Sequence, residues 1–305
     1  SSDVCSSDLL RLAAREHGLL LDSPVPFFEQ TAMSEFATRL AQRVQRFGPL
    51  CAGIDPSAAT LAKCGLPDSA EGALEFGKRI MAAANYEVAV VKPQSAFFER
   101  FGSAGVKVIE ELAAIARSKE VLFLLDVKRG DIDSTADAYA HAYFHPSSTI
   151  RVDAITLSPY LGVQALKSSF ELAARHGCGI FVVVRSSNPE GEALQTARQA
   201  NGKMVWEDLS AQMTAFNRAL STQQVGPIGA VVGATCIDAG PVVEALPHSF
   251  ILSPGIGAQG ATLDDCRARL APALGRILPN VSRELIGKGT SLEAIGARSE
   301  EHTSE

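Results

Sequence analysis

No pair of cysteines in this chain is spaced Cys-x-x-Cys. None of the six, at Cys5, Cys51, Cys64, Cys178, Cys236 and Cys266, sits at metal-ligand spacing from the six histidines. Scattered thiols of this kind fit core packing in a reducing cytosol rather than disulfides or a zinc site. No apolar run reaches the roughly 18 residues that a membrane span needs. Basic residues are outnumbered, 28 against 34 acidic, for a net charge of −6, so the chain lacks the basic face of a general nucleic-acid binder. Its start lacks the basic-then-apolar order of a signal peptide, and no glycine-rich stretch ends in the Gly-Lys-Ser/Thr of a P-loop. Apolar material is plentiful. Hydrophobic residues make up 46% of 305 and charged residues 20%, enough for a large core and too much for a disordered chain. The length allows two domains, but α/β barrels of about 250 residues run as one.

The two ends differ from the rest. Residues 1–32 read as a non-native or upstream extension and residues 298–305 as a non-native tail, both polar or without the periodicity of the intervening chain. Met33 reads as the native start. SEFATRLAQRV follows it as an amphipathic helix, with Ser34 as N-cap and Phe36, Leu40 and Val44 at helical spacing.

Within 33–297 a rhythm sets in. Short apolar runs occur at 49–55, 88–93, 121–128, 154–159, 179–185, 229–234, 249–257 and 276–282. Their apolarity is continuous rather than alternating, which suits parallel strands covered on both faces. Helical stretches such as EGALEFGKRIMAAAN, VKVIEELAAIARSK and LKSSFELAARHG lie between them. Eight β–α units predict a single-domain (β/α)8 barrel of the α/β class, with a doubly wound open sheet as the other reading.

The runs end in polar chemistry. Asp55, Lys92, Asp126 with Lys128, Ser158, Arg185 with Asn188, Gln259 and Arg283 all fall at or just past strand C-terminal ends. In a parallel barrel those ends share one mouth, where active sites are built. The densest segment is DVKRGDIDST, residues 126–135. Strand side chains repeat every two residues, so Asp126 and Lys128 point the same way. Buried charges of that kind are costly unless paired, which makes a charge network with a task the better reading. Asp131 and Thr135 follow on the loop and first helical turn, with Asp133 or Ser134 as a helix cap. After the seventh run, SPGIGAQG offers backbone N–H groups as an anion cradle, and Arg283 after the eighth can grip a phosphate with two donors.

GIDPS (53–57), VKPQSAFFERFG (91–102), DVKRGDIDSTADAYA (126–140), TLSPYLG (156–162), VVRSSNP (183–189), PGIGAQG (254–260) and NVSR (280–283) stand in this order. In them the chain resembles the orotidine 5′-monophosphate decarboxylase family, specifically its longer bacterial subgroup, across roughly 33–297. Two departures are small: Asp133 stands where that subgroup usually has glycine, and Ala261 follows GAQG in place of a further glycine.

The resemblance implies decarboxylation of orotidine 5′-phosphate to UMP and CO2, the last step of de novo UMP biosynthesis, in a cytoplasmic homodimer without metal or cofactor. It implies that Lys128 stabilises and protonates the C6 carbanion, with Asp126 beside the departing carboxylate. Asp55 and Lys92 would hold the ribose hydroxyls and buttress the network. Asp131, Ile132 and Thr135 would come from the partner subunit. Ser158 and Pro159 would line the pyrimidine, and Ser187 and Asn188 would open a long lid, residues 186–208. Gln259 would bridge pyrimidine and phosphate, and Pro254, Gly260, Ser282 and Arg283 would complete the substrate contacts. Two other readings compete. A metal-dependent sugar-phosphate decarboxylase or aldolase of the same superfamily carries a similar Asp-x-Lys-x-x-Asp but places an acidic metal ligand where Lys92 stands. A non-catalytic nucleotide-phosphate-binding barrel would keep Gln259 and Arg283 yet be free to lose Lys128 or Asp131.

Overall fold

The computed structural model describes residues 35–84, 86–255 and 267–286. The expected terminal segments, 1–32 and 298–305, lie outside the described residues, as do Ser34, Gln259, Gly260 and Ala261. The eight apolar runs become eight strands, β1 (Cys51–Ile54), β2 (Val90–Pro93), β3 (Leu122–Arg129), β4 (Ala154–Leu157), β5 (Gly179–Arg185), β6 (Ile228–Val232), β7 (Ile251–Ser253) and β8 (Ile277–Val281). They close in sequence order into a parallel barrel, with Cys51 and Ala52 of β1 in register with Asn280 and Val281 of β8. The open-sheet alternative is thereby set aside.

Helices alternate with the strands and cover the barrel. They include α1 (Phe36–Phe47), α2 (Ala58–Lys63), α3 (Ala70–Ala83), α4 (Ala96–Glu99), α5 (Gly102–Ser118), α6 (Asp133–Phe144), α7 (Lys167–Arg175), α8 (Glu192–Gln195), α9 (Val205–Leu220) and α10 (Ala239–Glu244). Two sequence signals are realised in the way their chemistry requires. Ser57 and Ser69 cap α2 and α3 by accepting from the backbone N–H groups of Thr60 and Gly72. After α7, Gly177 turns left-handed at φ 65°, and Cys178 N–H returns to the carbonyl of Ala173.

The core has two layers. Between strands and helices lie Leu61, Phe76, Ile80, Leu112, Phe144, Phe170, Val184 and Met213 with their neighbours. Inside the barrel, Leu122, Leu124, Phe181, Val231, Leu252 and Leu278 pack with Phe36, Ala37 and Leu40 of α1. Burial of each large apolar side chain contributes about 1.5–3 kcal/mol. α1 therefore forms the floor of the barrel at the strands' N-terminal ends. Phe36 meets Phe181 edge to face, and a Cβ on Gly179 would lie 2.2 Å from the Phe36 ring, so only glycine admits it there. Arg43 of α1 donates to the carbonyls of Tyr86, Val88, Ala89 and Glu120, and Arg39 to Asp153 and the carbonyl of Gly177. These bonds fasten the floor to the strand starts. The helix begins at Phe36, with Glu35 as flanking residue and no side-chain cap bond, in place of the expected cap by Ser34.

Among the described residues, no helix is long and apolar enough to cross a membrane.

Candidate active site

β3 supplies the centre of the mouth. Asp126 is buried, and its two carboxylate oxygens serve two lysines: Oδ2 accepts from Lys92 Nζ at 3.1 Å and Oδ1 from Lys128 Nζ at 2.6 Å. Thr156 of β4 adds a third donor, its hydroxyl 2.8 Å from Oδ1, and itself accepts from the backbone N–H of Lys128 at 2.9 Å. Burial alone would push the Asp126 carboxyl up. The ammonium groups of Lys92 and Lys128, with the bonds from Lys128 and Thr156, outweigh it and hold the pKa at about 2. Burial likewise opposes the charge on Lys92, yet Asp126, Asp55 and Cys51 keep its ammonium form favoured well above the ordinary lysine range. The three side chains differ in access: Lys92 is 5% exposed, Asp126 8% and Lys128 48%. One ammonium thus faces the open mouth while the other two charges form its base.

The backbone that presents Lys128 is unusual. Its φ is 42°, in the left-handed region, at a residue without glycine's freedom. Such a position costs about 1–2 kcal/mol. The pairing of β3 with β4 shifts register between Leu125 and Arg129, which accommodates the excursion, and Arg129 then pairs with Leu157. Gly130 follows in close contact with the next loop, where a Cβ would lie 2.5 Å from the Ser158 carbonyl oxygen.

Within the described residues the array holds three charges, Lys92, Asp126 and Lys128. Among the described residues Asp131 makes no ion pair with Lys92 or Lys128, and its Oδ1 accepts instead from Ile132 N–H at 2.9 Å. Ile132 and Thr135 are exposed at the start of α6. Neither Asp133 nor Ser134 caps that helix. Ile132 is the flanking residue without a side-chain bond, and Asp133 is the first helical residue, at φ 46°. Glycine at this position in the resembling subgroup is what a left-handed φ favours. Asp133→Ala should therefore lower stability by about 1–2 kcal/mol, through added strain and the loss of a carboxylate at a helix start. Asp133→Gly should melt close to the parent. Thermal denaturation of the two variants checks this, and equal melting of the alanine variant and the parent would contradict it.

The remaining expected residues lie around the same rim. Asp55 follows β1, and its Oδ1 is buried without a hydrogen-bond partner among the described residues. Ser282, after β8, likewise has a buried hydroxyl without one, and Arg283 beside it is exposed. Ser158, Pro159 and Pro254 are half-buried at the ends of β4 and β7. Ser187 and Asn188 line a cavity of about 540 Å3 with Arg185, Ser186, Pro189, Glu192, Thr235, Cys236 and Ile237. The lysine–aspartate array is not part of that cavity's lining.

Arg185, one of the expected strand-end residues, is a strut. It is 4% exposed, its Nε donates to both oxygens of Asp238 at 3.0 and 3.1 Å, and its Nη1 reaches the Gln195 side chain and the Ser186 carbonyl. It ties the root of the loop after β5 to the loop after β6. That first loop is shorter and more ordered than expected. Residues 189–195 are helical, Arg198 bridges Met204, and α9 already starts at Val205.

Sequence reasoning missed Thr156 as a member of the site. Thr156 was detectable, since it lies two residues before Ser158 on one strand and so faces the same way. Among the described residues no three His, Cys, Asp or Glu side chains are grouped so that they could hold a metal.

Fold and site together define a (β/α)8 barrel with a lysine–aspartate–lysine array at the C-terminal ends of its strands. A sequence model of the orotidine 5′-phosphate decarboxylase / HUMPS family matches residues 48–297, and the chain belongs to that family. It is 47% identical over 265 residues to the orotidine 5′-phosphate decarboxylase of Salinispora arenicola, covering 87% of this chain and 94% of that protein. The Myxococcus xanthus orotidine 5′-phosphate decarboxylase is 43% identical over 273 residues, 89% of this chain and 95% of that one. A crystal structure from Streptomyces avermitilis superposes with a TM-score of 0.85 at 40% identity, over 91% of this chain and 96% of that one. The OMP decarboxylase structure of Leishmania donovani superposes at 0.71 with 30% identity, over 89% and 96%.

Proposed function

We propose that this protein decarboxylates orotidine 5′-phosphate to uridine 5′-phosphate and CO2, the last step of de novo UMP biosynthesis. The observation that carries this reading is the array in which Asp126 and Lys92 are buried and Lys128 alone presents its ammonium to the mouth. In the reaction the bond from C6 to the carboxylate breaks and CO2 departs. The electron pair stays on C6, where the ring delocalises it poorly. A fixed ammonium beside that carbon stabilises the developing charge and then gives it a proton, and solvent reprotonates the lysine. Asp126 holds the Lys128 ammonium aimed into the mouth, and Lys92 balances Asp126 at its buried base.

The other contacts follow from position. Asp55, with an unpaired oxygen, accepts from a ribose hydroxyl beside Lys92. Arg283 takes the phosphate with Ser282 and the Gly260 backbone N–H, Gln259 bridges pyrimidine and phosphate, and Pro254 lies against the substrate. Ser158 and Pro159 lie against the pyrimidine, and Ser187 and Asn188 stand at the root of the closing loop. Phosphate binding far from C6 supplies energy for that closure.

The active assembly is a homodimer in which Asp131, Ile132 and Thr135 complete the neighbour's site. That Asp131 makes no ion pair with Lys92 or Lys128 of its own chain among the described residues supports this, as do Ile132 before α6, Tyr139 on α6 and Tyr160 and Leu161 after β4, all exposed large side chains. The family match covers 48–297 of the proposed barrel segment 33–297, and the free thiols of Cys51, Cys64, Cys178 and Cys236 suit the cytoplasm.

Turnover of orotidine 5′-phosphate with excess EDTA is the test. UMP formation at an undiminished rate supports the proposal. Loss of activity on chelation would favour the metal-dependent reading, against which stands the buried ammonium of Lys92. A folded protein that binds UMP without forming it would be a binding barrel only.

A further inference from the structure

We propose that Arg129 and Glu99 are positioning residues for Lys128, an inference that rests on Lys128 being the proton donor. The catalytic segment of β3 is held at both ends by the turn around α4. At its start, the Asp126 carbonyl accepts from Ser95 N–H at 3.2 Å and from the Gln94 side chain at 3.4 Å, and Gln94 bridges Asp126 in parallel register. At its end, the Arg129 guanidinium donates to Glu99 Oε1 at 2.6 Å. The same oxygen accepts from the Ser95 hydroxyl at 2.6 Å, so both ends of the segment meet on one carboxylate.

Other contacts fix Arg129 from the far side. Its carbonyl accepts from Ser158 N–H at 2.7 Å, and its guanidinium lies 5.7 Å from the centre of the Tyr139 ring. Between the two anchors stand only Val127 and Lys128, the residue with φ 42°. A left-handed residue in a strand relaxes to the extended region unless its neighbours forbid it. Removing the Arg129 guanidinium takes away the side-chain half of the C-terminal anchor, leaving the backbone bonds from Ser158 N–H to the Arg129 carbonyl and from Lys128 N–H to Thr156. Lys128 then moves its ammonium away from Asp126, while Lys92, Asp126 and the phosphate contacts keep their own partners. Among the described residues neither Arg129 nor Glu99 has a bond to Lys92 or Lys128, so they act through the backbone.

The experiment compares Arg129→Met, Arg129→Lys and Glu99→Gln with the parent and with Lys128→Ala, measuring kcat, KM, UMP affinity and Tm. Misplacing a reacting group by about 1 Å costs on the order of a hundredfold, so Arg129→Met should lower kcat by about that factor. KM and UMP affinity should stay within about threefold, because uniform binding is untouched. Arg129→Lys, which keeps one charged donor, should recover part of the loss. If Arg129→Met does not fold, Glu99→Gln, a change at a partly exposed side chain, carries the same split at about tenfold, one tenfold step below the full misplacement. A lower Tm with parental kcat, or kcat and KM both at parental values, would overturn the proposal. Absence of turnover in the parent itself would instead count against the decarboxylase reading, and the Lys128→Ala measurement separates a wrong donor from a wrong anchor.

Discussion

Replacing Lys128 with alanine should remove nearly all turnover of orotidine 5′-phosphate while UMP still binds. Electrostatic stabilisation and general-acid catalysis each contribute on the order of 10^2–10^3 or more, and this ammonium supplies both, so a loss of about 10^4 in kcat is expected. The fold should survive. Lys128 is half exposed, and Asp126 keeps Lys92 and Thr156 as partners after its removal. The same substitution at Lys92 or Asp126 would be a poorer probe, because an uncompensated buried charge costs about 3–5 kcal/mol. Steady-state kinetics together with UMP titration decide the matter. Residual activity above a few per cent of the parent would remove Lys128 from its assigned role.

The second large effect is a gain. Lys128→Ala and Asp131→Ala chains should each be inactive alone, and mixing them should restore turnover. In a hybrid dimer with shared sites, one site loses both residues and the other is wholly intact. Random exchange makes half of the dimers hybrid, each with one of two sites working, so about a quarter of parental activity should return. Exchange is followed independently by mass spectrometry of the dimers. Confirmed exchange without recovered activity would mean that each chain's Asp131 serves its own site.

The strands were legible in the sequence because burial on both faces leaves an unbroken apolar run, and GIFVVVR at 179–185 coincides with β5 residue for residue. The polar residues at their ends were legible for a related reason: in a parallel barrel all C-terminal ends share one rim, so position along each run suffices. What pairs across strands was not. The bond of Thr156 to Asp126 depends on the stagger between neighbouring strands, and that of Glu99 to Arg129 on where the short helix after β2 meets the end of β3, which no local pattern encodes. The left-handed turn at Lys128 was hidden for the opposite reason, since strand periodicity already placed Lys128 beside Asp126 and left nothing to explain. The loop after β5 read as a long polar lid because its composition is polar, while its order comes from Gln195, whose side chain bonds Ser186 and Arg185.

The floor helix has a bearing on how the chain reaches this structure. α1 comes first in the barrel sequence, yet its seat exists only once the later strands stand: Arg39 bonds a carbonyl 138 residues away, and Phe36 packs on β5. The ring itself closes only when β8 returns to β1. Emerging from the ribosome, α1 is an amphipathic helix with its apolar stripe uncovered, and such stripes are aggregation-prone until docked. Non-local closure of this kind slows folding. The helix that seals the finished barrel is therefore a segment that waits for partners far along the chain, and the interval before ring closure is when its apolar stripe is most open to aggregation.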